Sequence, residues 1–542
     1  MNKKQVALLT AVLMFIGTLA ACTNAPAPTP AATPAPAAQT ATATPAPATQ
    51  APAATPEPGP QKLLENPITV EMWQTEHVSY LYTKDLLVER IMGDRCNVFF
   101  NVTPFPDGTD GGIEKINLGL ASGDLPDIYH MCYVRDASNW GMQGALVDFS
   151  KHFDEMPNYS AWASAMGDYP YYFYSGDGAM YVTPNYGFGT ASNSTFWMYR
   201  KDIFEEHNLS VPNNEDELYE VCKTLKELYP DSYPFLNRGL LDLYDRLAYQ
   251  WGTGYPIYYN NSQKAWVYGP TEDKFKESIE WSAKMFAEEL IPINGLTMDV
   301  PTWQEYVFNN RGFVLSQYQA QIDILNVQMR QDDPSVDWNY MRPFEGGGSG
   351  IRTFNPQTQL IMAGYCLFST SQYIPEIIKF YDWMYTDEAK ELMSWGIEGE
   401  SFTVNPDGSK SHIGITPGVS GSFDVIHMYG FFNRGFFCLT DPLAHITYAS
   451  KETLAAVENV IKDAGEYRVP VISFNEERLE RFNILNPIMI ACTTENLGKF
   501  ITGQRPLAEY DAYIDELYSL GLEEFVKIHN DQQAETNAMR GK

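Results

Sequence analysis

The chain is 542 residues long, 44% hydrophobic and 14% aromatic, with 37 basic against 68 acidic side chains. Such a length is too great for one small core and fits two large lobes. A formal net charge of −31 argues against a phosphate-backbone partner, because nucleic-acid binding runs on clustered Lys and Arg.

At the N-terminus, Lys3 and Lys4 precede an apolar stretch from Val6 to Leu19. This is the pattern of a targeting segment, too short for a comfortable membrane span. Leu19-Ala20-Ala21-Cys22 resembles the lipobox of bacterial lipoproteins, where cleavage precedes the Cys and its sulfur carries a diacylglycerol. The alternative is an ordinary secretory signal with an incidental Cys. Residues 1–21 are therefore expected to be a signal peptide and Cys22 a lipidated residue that anchors without spanning. From Thr23 to Pro60 the chain repeats Ala, Pro and Thr with Glu57 as its single charge. Residues 22–60 thus form a disordered linker that cannot bury a core and favours extended polyproline II.

The folded body starts near Gln61. Ile68 to Trp73 alternates like a strand, Leu81 to Met92 has helical spacing, and Cys96 to Val102 is β-branched and aromatic. Ile113 to Ala121 is helical and stops at Gly123 and Pro126, after which Asp127-Ile128-Tyr129 begins a third strand. Strand, helix, strand, helix, strand predicts a parallel α/β sheet. Ligands of such sheets sit beyond the carboxyl ends of the strands. Besides Cys22, Cys96, Cys132, Cys222, Cys366, Cys438 and Cys492 are scattered and read as buried free thiols. One disulfide is compatible with an extracytoplasmic setting, but the sequence does not choose a pair. No zinc spacing, Gly-x-Ser-x-Gly, Walker loop or dinucleotide fingerprint occurs.

Leu120-Ala121-Ser122-Gly123-Asp124-Leu125-Pro126-Asp127-Ile128 resembles the "LASGDLPDI" signature of bacterial extracellular solute-binding lipoproteins, which serve carbohydrate ABC importers. Further matches follow in order: Gly144 to Phe149, Phe196 to Asp202 with its "YRKD", Phe308 to Phe313, Phe380 to Ala389 continued by Trp395 to Gly399, and Phe500 to Gly503 with Gly521-Leu522. The resemblance spans nearly all of Ile68 to His529 and implies a two-lobe periplasmic-binding-protein-like α/β fold of type II, with a cleft between lobes. On that basis lobe one takes 61–190 and 355–393, and lobe two 195–350 and 401–535. Hinges are expected at Asn185 to Asn193, Gly346 to Arg352 and Trp395 to Glu400. Many relatives carry an Asp/Asn/Gly-rich, calcium-like loop after the helix of the second lobe. Here that stretch is Glu227 to Pro234, with too few oxygen ligands in register, so no metal is expected there. The resemblance also implies a monomer that needs no cofactor and performs no catalysis. It would sit lipid-anchored on the outer face of the bacterial cell membrane, holding a carbohydrate, an oligosaccharide by its wealth of rings, for ABC permease subunits. A binding protein for another solute such as a peptide, a sensor co-receptor, and a surface glycoside hydrolase remain the alternatives.

A sugar offers C–H faces to aromatic rings and hydroxyls to paired donors and acceptors. On position and type, Trp73, Gln74 and Glu76 after the first strand are ligand candidates, with Tyr133, Arg135, Asp136 and Trp140 after the third. At the crossing between lobes the candidates are Tyr186 and Asn193. Lobe two would contribute Trp251, Tyr255, Trp303, Tyr318 and Gln319. The last hinge segment adds Trp395, Glu398 and Glu400, and Arg434 follows an aromatic run. Trp281 and Trp383, inside helical patterns, are expected in the core.

Overall fold

Period-two alternation sets the first strand of the computed structural model: Ile68, Val70 and Met72 are buried while Thr69 and Glu71 face out. The strands of the two main sheets are, in chain order, β1 (Ile68–Glu76), β2 (Val98–Pro106), β3 (Ile128–Tyr133), β4 (Thr195–Arg200), β5 (Val314–Tyr318), β6 (Trp338–Tyr340) and β7 (Ala363–Leu367). Helices α1 (Leu87–Cys96) and α2 (Thr109–Ser122) connect the first three strands, and α3 (Val134–Met142) follows β3 directly. The structure describes residues 61–76, 81–106, 109–186, 195–353, 363–418, 422–431, 438–463 and 469–540. The signal segment, Cys22, the linker, Asn193 and Arg434 lie outside the described residues.

As expected, β1 pairs in parallel with both β2 and β3. An antiparallel β7 completes the sheet in the order β2-β1-β3-β7. The LASGDLPDI run is a helix stop that seats α2 on this sheet. A Cβ at Gly119 would lie 2.7 Å from the Asp124 carbonyl oxygen and 3.0 Å from the Trp73 ring. Gly123 then reverses the chain at a φ of 79°. Asp127 clips the turn down, accepting from the Glu71 amide at 2.8 Å and the Ser371 hydroxyl at 2.5 Å. The second sheet, β5-β4-β6, is antiparallel. Phe235 runs beside Val314 as a short parallel edge.

Two buried clusters follow the two sheets. The first gathers Leu64 to Val182, then Tyr365 to Trp395, then Phe402 to Tyr448. The second holds Phe196 to Phe344 and Ala456 to Ile528. The structure therefore divides the stretch 401–535 that the sequence assigned wholly to lobe two. Phe402, Val425, Ile426, Tyr429, Phe431, Cys438, Leu439, Ala444 and Tyr448 belong to the first core. Trp395 draws them there: its ring stacks on His412 at 4.9 Å and its Nε1–H donates to Asp441 at 2.8 Å. The third passage between cores thus falls at about 448–456, not at Trp395 to Glu400. On the second-lobe side Asp323 accepts from the Ser450 amide at 3.3 Å and the Thr453 hydroxyl at 2.9 Å. Gly346 to Arg352 is likewise no free hinge, because Gly347 donates to Glu215 at 2.8 Å and Arg352 to Asn213 at 2.7 Å, both in lobe two.

The cores also meet along a seam. Tyr172 donates to the Val469 carbonyl at 2.7 Å, and Arg540 pairs with Asp168 at 2.7 Å. Gly176 lies so close to lobe two that a Cβ there would sit 1.8 Å from the Phe474 oxygen. Asn483 donates to Asn139 of α3 at 2.8 Å. Cys96, Cys132, Cys222, Cys366 and Cys438 are buried free thiols, and burial pushes Cys96 and Cys438 up to about 12. Trp281 and Trp383 are buried in helices, as their spacing predicts.

Candidate functional site

Strand register sets one strand's end against another's start in each sheet. Tyr133 ends β3 opposite Ala363, the start of β7. Tyr318 ends β5 opposite Thr195, the start of β4. Thr195 and Ala363 are the first described residues after the chain passes from one core to the other and back. Tyr133 and Tyr186 are each 44% exposed and Tyr318 is 39% exposed. Rings of this size left this open present flat apolar surface to solvent. Tyr186 is held on its inner side, edge-on to Tyr169 at 5.2 Å. Its backbone donates to the Cys438 carbonyl and accepts from Thr440.

Glu76 closes β1 and accepts from the Tyr82 amide at 2.9 Å. With buried Gln74, Tyr82, Glu89 and His427 it lines a small cavity of about 30 Å³ at the strand's carboxyl end. Arg135 is exposed on α3, 3.4 Å from Asp136, whose carboxyl burial raises above the usual range. In lobe two Gln319 is buried, and its side-chain oxygen accepts from no described group. A buried acceptor in that state has ~1–3 kcal/mol to gain from a donor. Arg246, which the sequence did not single out, braces this edge by donating to the Thr195 hydroxyl at 2.9 Å and the Ser316 carbonyl at 3.3 Å. It sits in the helix Leu240–Gln250, and helical spacing alone does not tell which loop a long side chain reaches.

Other candidates are placed elsewhere. Trp73 stops three residues short of the edge, under α2, with the Lys115 ammonium 4.5 Å from its ring centroid. It borders an open depression of about 340 Å³ with Glu114, Leu118 and Asp124 instead of joining Tyr318. Trp140 is buried and donates to Asn117 at 3.2 Å. Trp251 packs against Trp281 at 5.5 Å, and Tyr255 stacks on Phe275 at 6.1 Å. Trp303 is 1% exposed, inside the helix Val300–Phe308. Trp395 is buried as described, while Glu398 and Glu400 are exposed on the turn beyond it, Glu400 paired with Arg90. Rings of that size gain much from burial, which draws these tryptophans into the cores.

A family model described as "Bacterial extracellular solute-binding protein" matches residues 100–391. Lipoprotein LipO of Bacillus subtilis is 23% identical over 325 residues, 56% of this chain and 61% of its own length. This chain thus spans about three fifths of that relative. Among solved structures, the alginate-binding protein AlgQ2 without calcium ion superposes with a TM-score of 0.73 at 19% identity, over 87% of this chain and 99% of that one. An EF-hand mutant of the Streptococcus pneumoniae ABC-transporter substrate-binding protein FusA, in complex with fructo-nystose, gives 0.69 at 16% identity, over 87% and 100%. At these identities the neighbours establish the two-lobe fold.

Proposed function

The chain belongs to the bacterial extracellular solute-binding proteins, and from that premise we propose that it captures an oligosaccharide between its lobes and delivers it to a membrane ABC permease. The observation that supports this most directly is that Tyr133 and Tyr318 stand half-open at strand ends, one in each sheet, with Tyr186 likewise half-open where the first core ends. Sugar C–H faces stack on such rings, and several rings suit several sugar units. Hydroxyls find acceptors in Glu76, Asp136 and the Gln319 oxygen, the carboxylates giving charge-assisted bonds roughly twice as strong as neutral ones. A neutral sugar is indifferent to a net charge of −31.

Binding then acts through the three passages between the cores. A ligand touching both edges favours the closed arrangement by its differential affinity for closed over open. The closed lobes would dock on the permease, while the lipid on Cys22 and the linker keep the body near the membrane. The sugar is held and released unchanged. A thermal-shift screen of the full chain against mono- and oligosaccharides tests this. A sugar at 100 times its Kd stabilises by ~2.7 kcal/mol and is recovered intact. A shift with peptides alone would replace the ligand class, and sustained turnover of a chromogenic glycoside would replace binding by hydrolysis.

A further inference from the structure

One fold neighbour is named as the form without calcium ion and another as an EF-hand mutant, and the stretch of this chain that resembles the position of such a loop is Glu227 to Pro234. Calcium takes ~6–8 oxygens at ~2.3–2.6 Å. The turn fits no such ion, because its main-chain oxygens already serve other cations. Lys226 Nζ donates to the Ser232 carbonyl at 2.8 Å, and Arg311 Nε donates to the Asp231 carbonyl at 3.0 Å. The clasp is reciprocal, since the Tyr233 amide donates back to the Arg311 carbonyl at 2.7 Å.

Two rings complete it. Tyr233 and Tyr306 lie nearly parallel, centroids 5.9 Å apart and planes 12° from each other. The Arg311 guanidinium centre is 4.1 Å from the Tyr306 centroid and 5.3 Å from that of Tyr233, and the Lys226 ammonium is 4.9 Å from Tyr233. Glu289 stands 3.7 Å from Lys226 and balances its charge. Two side-chain cations, two carbonyl oxygens and two aromatic faces thus join the turn to the loop before β5.

We propose that this chain closes the second-lobe turn with its own cations, Lys226 and Arg311, in place of a metal ion. The clasp sits at the amino end of the edge segment that runs through Phe235, beside Val314, to Asn237. Asn237 accepts from the Ser316 amide at 2.9 Å, two residues before Tyr318. Holding the turn therefore holds the register of the edge that carries Tyr318 and Gln319, without calcium.

The experiment is a thermal melt of the full chain with excess EDTA and with millimolar calcium, for the wild type, Lys226→Met and Arg311→Lys. The wild type melts at one temperature in both media. Lys226→Met melts about 3 °C lower in both, and calcium does not restore it. Arg311→Lys keeps the charge but loses the planar contacts with both rings, and it also melts lower, which preserves the test if Lys226→Met fails to fold. A wild-type melt that falls in EDTA and returns with calcium would overturn the proposal, as would two variants that melt like the wild type. Neither result bears on which solute the cleft takes.

Discussion

Three histidines are buried far enough to make stability depend steeply on acid. His412 lies between Trp395 at 4.9 Å and Tyr429 at 6.2 Å, His445 is near His412, and His529 sits among Phe474, Phe482 and Phe525. Burial pushes His412 and His529 from 6.5 down to about 4, and His445 to about 3. The unfolded chain takes up these protons near 6.5 and the folded chain does not. Stability is therefore complete above the unfolded value and falls as pH drops from 6.5 toward 4. At about pH 5 each ring costs about 2 kcal/mol, together about 6 kcal/mol, against a typical total of ~5–15 kcal/mol. Burial raises Asp136 and Asp323, which acts in the opposite sense as pH falls. The decisive comparison is thus wild type against His412→Phe, which keeps a ring on Trp395 and removes the proton site. Urea unfolding at about pH 7.5 and about pH 5 should show the variant losing about 2 kcal/mol less than the wild type between the two. Equal losses would refute a neutral, buried His412.

Tyr318→Ala should leave the melting temperature within about 2 °C and weaken binding of the screened oligosaccharide about tenfold; unchanged affinity would remove Tyr318 from the site. Trp303→Ala should do the reverse, costing about 3–5 kcal/mol in urea unfolding, and a variant as stable as the parent would contradict its packing role. Gly176→Ala places a methyl against the Phe474 oxygen, so small-angle scattering should show a larger radius of gyration as the seam parts. Asp323→Asn removes the charge that holds Ser450 and Thr453, and hydrogen exchange at the Ser450 amide should rise by about tenfold or more.

Much of the fold is legible because it is periodic. The alternation of β1 and the Gly123-x-x-Pro126 stop after α2 are local, and each appears where its pattern predicts. Helix α1 starts at Leu87, not Leu81, because the chain turns at Asp85, whose φ is 65° and whose amide donates to the Glu89 carboxylate at 2.8 Å. The division of 401–535 was not legible. Phe402 and Tyr448 have the composition of either core, and the choice is made by where Trp395 packs. Tyr133 and Tyr318 do end strands, a position the periodic pattern predicts, whereas the burial of Trp251 and Trp303 depends on tertiary packing that residue type does not show. Arg246 carried no signal, since its reach to Thr195 depends on tertiary packing.

The interleaving of the two cores constrains how the chain is made. The first core lacks Phe402 to Tyr448 until those residues exist, and the second lacks everything from Ala456 to Ile528. A ribosome that has reached residue 400 has therefore completed neither lobe. Contacts separated by hundreds of residues form late, because loop closure must precede their reward. A chain exported across a membrane thus stays threadable until residues as late as Ile528 have been made, and both lobes reach their final packing together on the side where they work.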